Sequence, residues 1–205
     1  MIYDISLALS EATMRYPGDP PIALTRHADL RAGDPLTVSH VALSCHVGTH
    51  VDAPAHFVAG AATVDQLPLE SFVGPAVVLE LRDRDVIRAA DLQGVEVPAG
   101  YHVLLKTRNS ALLQSETFVE SYCHLATDGA AWLCARRPPS IGFDYYSLDP
   151  FSADDFPAHT MVARFNIPVF VCLALAAVPA GRYTFAGLPL PLVGAEGAPV
   201  RAVLL

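Results

Sequence analysis

Three of the eight histidines and an aspartate fall within eleven residues, in the run Cys45-His46-Val47-Gly48-Thr49-His50-Val51-Asp52-Ala53-Pro54-Ala55-His56-Phe57. Imidazole nitrogens and a carboxylate are the donors that suit zinc, manganese or iron, and they are also groups that move protons in acid and base catalysis. In an extended run, His50 and Asp52 project from one face with Cα atoms about 7 Å apart, close enough for one ion to bridge. His46 would stand about 13 Å from His50 in that conformation, too far to share the ion. The chain must therefore bend between them, which Gly48 permits, and Pro54 can turn it again and bring His56 back over the site. Burying so many polar groups is costly unless a metal or protons satisfy them. Spacing favours a metal or catalytic site, with hydrogen-bonded scaffolding as the alternative. The isolated His27, His40, His102 and His124 read as hydrogen-bonded core residues.

The elements that must hold this run follow from the pattern of apolar residues. Ile2 to Leu9 reads as a first strand, Tyr16-Pro17-Gly18-Asp19-Pro20 as a rigid loop, and Leu36 to Ser44 as a strand with alternating apolar and polar positions. Val73 to Leu81 and Tyr101 to Thr107 are short Val- and Leu-rich runs bounded by Gly or Pro, the pattern of strands covered on both faces. Between them Asp85 to Leu92 suggests a short helix. Asp128 to Arg136 reads as a helix with Asp128 as its cap, and Ser140 to Asp144 and Ile167 to Leu175 as two further strands. Strands interleaved with a few helices predict a mixed α/β fold.

A chain of 205 residues with no repeat and no low-complexity linker predicts a single domain over 1–205. Only 17% of residues are charged, and 21 acidic against 13 basic residues leave a net charge of −8. Lys106 is the one lysine, so no basic surface awaits phosphates and nucleic acid is excluded as a partner. The longest apolar run, Ile167 to Val178, is too short to span a bilayer and contains Pro168, so no membrane is expected either. The N-terminal residues lack the pattern of a signal peptide, and Cys45, Cys123, Cys134 and Cys172 are widely spaced. Both features suit a cytoplasmic protein whose thiols are free and fill the core. Apolar residues in excess of what one such domain can bury predict a homo-oligomer, a dimer or tetramer. No G-x-S-x-G elbow, G-x-G-x-x-G turn or P-loop competes with the histidine run.

The run His46-Val47-Gly48-Thr49-His50-Val51-Asp52-Ala53-Pro54-Ala55-His56 resembles the H-x-G-T-H-x-D-x-P-x-H signature of the cyclase family, which includes bacterial kynurenine formamidase and isatin hydrolase. Tyr16-Pro17-Gly18-Asp19 is similar to that family's substrate loop, Asp128 to Leu133 to its helix, and Ile141-Gly142-Phe143-Asp144 through Ser147-Leu148-Asp149-Pro150 to its strand and following turn. Gly181-Arg182-Tyr183 and Gly197-Ala198-Pro199-Val200-Arg201-Ala202 resemble its C-terminal strand pair, so the likeness runs nearly end to end. It implies a swivelling β/β/α domain, with His46, His50 and Asp52 as metal ligands, His56 as the acid/base, His159 as a second-metal ligand and Tyr16 against the substrate.

Two positions depart from the family pattern. The formamidases carry a glutamate twelve residues after the histidine at 159, where this chain has Val171, and a tryptophan where it has Tyr16. Val cannot ligate, and Cys172 beside it would point to the opposite face of a regular strand unless a bulge re-aimed it. The expectation is therefore one divalent ion per chain, zinc or manganese, in a metal-dependent hydrolase of a small amide or lactone. Two other readings use the same site: ring closure on a ketone-containing substrate with loss of water, or ligand binding without turnover.

Overall fold

The computed structural model describes residues 1–115 and 117–205. Its strands, in chain order, are β1 (Tyr3–Asp4), β2 (Ala23–Ala28), β3 (Val38–Ala42), β4 (His50–Asp52), β5 (Val73–Glu80), β6 (Val86–Ile87) and β7 (His102–Lys106). They continue with β8 (His124–Leu125), β9 (Ile141–Phe143), β10 (Val169–Val171), β11 (Gly181–Ala186), β12 (Gly197–Pro199) and β13 (Val203–Leu204). The helices are α1 (Asn109–Leu112), α2 (Thr127–Cys134) and α3 (Pro157–Arg164). Nine strands form one sheet in the order β1-β13-β11-β5-β7-β9-β10-β4-β12, parallel from β5 through β10 and antiparallel on both sides.

The two-residue period of a strand sorts the core into two layers. Val77, Leu79, Val103, Leu105, Ile141, Phe143, Val169 and Val171 face the layer that α2 and α3 cover with Ala130, Leu133, Ala158 and Val162. Ala76, Val78, Leu104 and Phe170 face the other layer, with Ile5, Val51, Phe185 and Leu204. Register carries this division into β4: Val171 pairs with His50, Phe170 with Val51 and Val169 with Asp52. His50 and Asp52 therefore lie on the helix-covered side, and Val51 anchors β4 from behind.

The mixed α/β class is as the composition predicts, and several boundaries differ. The strand expected over Ile2 to Leu9 stops at Asp4, because side-chain oxygens take over its backbone donors: Asp4 accepts from Ser6 N–H and Thr49 Oγ1 from Leu7 N–H. The strand expected from Leu36 to Ser44 narrows to β3 and pairs only with β2, in a ribbon whose β3 residues are all exposed. His27 and His40 lie on this exposed stretch, so neither is a core residue. The helix expected from Asp85 to Leu92 is instead β6, paired with β8, followed by a single 3-10 turn at Ala89–Leu92. Asp128 does not cap α2. Ala126 holds that place, and Asp128 sits in the first turn, where its charge still complements the helix N-terminus.

The strand expected from Ile167 to Leu175 ends at Val171, because Cys172 turns the backbone into the left-handed region at φ 55°. This turn breaks the alternation, so that Val171 and Cys172 both join the helix-side layer. All four cysteines are free; Cys123, Cys134 and Cys172 are buried as expected, while Cys45 is partly exposed.

Candidate metal centre

β4 lies between β10 and β12, which buries His50 and Asp52 almost completely. His46 precedes the strand on a loop that Gly48 bends at φ 59°, as the spacing requires. After β4, Pro54 opens a 3-10 turn over Pro54–His56 that carries His56 back toward the cluster. There its ring stacks on that of His46 with centroids 3.9 Å apart. His159 arrives from the first turn of α3.

Asp52 is the centre of the arrangement. Its Oδ1 lies 2.8 Å from His46 Nδ1 and 3.2 Å from His50 Nε2, and its Oδ2 lies 3.8 Å from His159 Nε2. Each histidine has its other ring nitrogen engaged: His50 Nδ1 with Gly48 O at 2.7 Å, His46 Nε2 with Glu196 Oε1 at 3.1 Å, and His159 Nδ1 with Asp149 Oδ2 at 2.8 Å. Those partners are acceptors, so His50 and His159 carry the proton on Nδ1 and turn the Nε2 lone pair inward, whereas His46 meets a carboxylate at both ring nitrogens. The His50 Nε2 lone pair thus faces an ionised carboxylate oxygen that His46 Nδ1 approaches as well, and a proton or a cation between ring nitrogen and carboxylate is what makes such contacts attractive.

The electrostatics express the same frustration. Burial works against charge on His46, but Asp52 and then Glu196 outweigh it and raise its pKa. Burial likewise works against an ionised Asp52, and His50 and His46 overcome it, holding the carboxyl well below its ordinary value. Donor atoms of His46, His50 and Asp52 all lie within 4.8 Å of one another, so the three fit a single divalent ion. His159 stands outside that group, on the far oxygen of Asp52. The Cys172 thiol is pushed well above its usual pKa, first by burial and then by the charge of Asp52, and is a neutral neighbour.

The cluster forms the floor of a cavity of about 320 Å³. Tyr16, Phe57, Tyr146 and Phe156 make its aromatic walls, and Asp19 and Ser147 add polar groups. Tyr16 is braced edge-on by Phe118 at 5.3 Å and tilted against Phe151 at 5.8 Å. His56 lines the same cavity, and desolvation by the walls leads the effects that lower its pKa to about 4, so its ring is neutral at pH 7. Every residue singled out from the sequence, His46, His50, Asp52, His56, His159 and Tyr16, lines this one cavity. Asp149 and Glu196, which hold two of the histidines, carry no sign of that role in their local sequence, whereas Asp19 on the cavity wall belongs to the Tyr16–Asp19 stretch that resembles the family's substrate loop.

Residues 3–150 match the profile of the family described as "Putative cyclase". The chain is 33% identical over 204 residues to the kynurenine formamidase of Polaromonas naphthalenivorans (strain CJ2), covering 99% of this chain and 90% of that protein. It is 34% identical over 201 residues to the kynurenine formamidase of Geobacillus thermodenitrificans (strain NG80-2), covering 98% and 95%. This chain belongs to the cyclase family. A solved structure described as a potential metal-dependent hydrolase with cyclase activity superposes with a TM-score of 0.88 at 29% identity, over 100% of this chain and 96% of that one. The β/β/α fold implied by the sequence resemblance is thus the fold of this protein.

Proposed function

We propose that this protein is a metal-dependent hydrolase that opens the C–N bond of a small aromatic amide, as an arylformamidase does, or a related cyclic amide or lactone. The observation that carries the reading is the pair of imidazole nitrogens turned toward Asp52 Oδ1, an arrangement that calls for a cation. His46, His50 and Asp52 would hold one divalent ion, zinc or manganese, with His159 as a further donor beside it. Such an ion, when bound, supplies Lewis-acid activation of water and of a carbonyl.

The remaining steps belong to the chain's own side chains. The aromatic walls, Tyr16 among them, bind the flat apolar part of the substrate and exclude bulk water from the carbonyl. His56, whose neutral ring has no hydrogen-bond partner among the described residues, accepts a proton from the attacking water and returns it to the departing nitrogen. Val171 is fully buried on the His50 side of the sheet and offers no donor, which supports one ion rather than two.

Residues 1–205 make one unit in this reading, since β1 closes against β13 at the edge of the main sheet. No described helix is long and apolar enough to cross a membrane. Free thiols accord with a cytoplasmic location. A second copy of the chain is the partner that suits the β2–β3 ribbon, where Leu24, Val38 and Val41 are 52%, 41% and 50% exposed and a two-stranded ribbon is marginal by itself.

Metal analysis of protein purified without added metal, run beside assays on N-formylkynurenine, isatin and simple lactones, tests the function. About one zinc or manganese per chain with release of formate or ring-opened acid is expected. Failure to bind any divalent ion when supplied refutes it. Light scattering that reports a monomer at micromolar concentration refutes the paired ribbon.

A further inference from the structure

His50 and Asp52 are aimed by the strand that carries them, but His46 is not. It sits on the loop before β4, where its backbone N–H donates, among the described residues, only to the Ser44 hydroxyl, at 3.1 Å. The ring is aimed instead from the opposite end of the chain. Glu196 stands just before β12, its carbonyl accepting Ala53 N–H at 2.8 Å, while the next residue, Gly197, pairs in register with Asp52. From this pinned backbone the carboxylate reaches His46 Nε2 at 3.1 Å. Gly197 supplies the floor: a Cβ there would lie 2.8 Å from His46 Cε1 and 2.9 Å from the Val51 carbonyl, so the ring occupies the space that a side chain would fill. His56 stacks on the ring with centroids 3.9 Å apart.

We propose that Glu196 is a positioning residue that locks His46 with Nε2–H toward the carboxylate and Nδ1 toward Asp52, and so sets the affinity of the cluster for a divalent cation. Gly48 O does this for His50 and Asp149 for His159; Glu196 completes the set from the surface, its side chain 45% exposed. Carboxylates that hold the far nitrogen of a ligating imidazole typically contribute 10- to 100-fold in metal affinity. The inference rests on the metal-centre reading above and assigns a role to a residue outside the ligand set.

The test is calorimetric titration of zinc or manganese into chelator-stripped protein, for the unsubstituted chain, Glu196→Ala and Glu196→Gln, with thermal unfolding of each metal-free form. Glu196→Ala should weaken binding about 10- to 100-fold while the metal-free unfolding midpoint stays within a degree or two, as befits a half-exposed side chain. Glu196→Gln keeps an oxygen that accepts from Nε2–H and should recover most of the loss. Unchanged affinity in Glu196→Ala overturns the proposal. Equal losses in the Ala and Gln variants overturn it too, because charge alone, not aim, would then be at work. No binding by the unsubstituted chain overturns the metal-centre reading itself and this inference with it.

Discussion

Asp149 is the residue whose replacement should reveal most about how the site is held. It is almost wholly buried, and its two oxygens accept three hydrogen bonds: from Ala158 N–H at 2.7 Å, His159 N–H at 3.0 Å and His159 Nδ1–H at 2.8 Å. The first two cap α3. That helix begins at Pro157 after Phe156, which sits at φ 45° and offers no capping side chain. Asp149→Ala leaves three buried donors unsatisfied at about 1–3 kcal/mol each, so a loss of about 3–6 kcal/mol is expected after partial relaxation. At about 2–4 °C per kcal/mol for a chain of this size, the unfolding midpoint should fall by roughly 10–20 °C. Asp149→Asn keeps one accepting oxygen, should lose less than half as much stability, and should release His159 from its tautomer. Urea unfolding of metal-free protein measures both, through a lowered midpoint at unchanged slope. A loss under about 1 kcal/mol in Asp149→Ala would refute the reasoning, because it would mean that water reaches those donors.

His56→Ala should retain the metal and lose about 10²–10⁴-fold in rate, whereas His50→Ala should lose the metal as well; equal metal loss in the two would make His56 a ligand. Val171→Glu puts a carboxylate in a fully buried position paired with His50, which should cost several kcal/mol in chelator and leave a need that only a cation meets. Added zinc should therefore raise its unfolding midpoint more than that of the unsubstituted protein, and equal shifts would contradict this. His102 is fully buried with Nε2 unpartnered among the described residues, and desolvation pushes its pKa down to about 4. Between about pH 6.5 and 4 the unfolded chain binds a proton that the native state refuses, so this group's contribution falls as pH drops through that window, by about 2–3 kcal/mol. His102→Phe should flatten that part of the urea stability profile, and an unaltered slope between pH 7 and 4.5 would remove His102 from the account.

Much of the site was legible because its geometry is local. Strand periodicity alone puts His50 and Asp52 on one face, the extended length from His46 to His50 demands the bend found at Gly48, and Pro54 marks the turn that returns His56. The two-sided burial of β7 is likewise written in its apolar run, while β5, expected to be covered in the same way, is buried only in its second half. What the sequence did not disclose depends on residues far apart in the chain. α3 is capped by Asp149 from another loop, so its only local start signal is Pro157 at the first position, and Glu196 meets His46 across 150 positions. That Val171 stands opposite His50 follows from the antiparallel register of β10 and β4, and the early end of β10 follows from the left-handed turn at Cys172. A residue's own run sets which face it prefers, because side-chain direction repeats with the backbone. Which partner waits on that face is decided by strand order and register, and these emerge only when the whole sheet closes around its two cores.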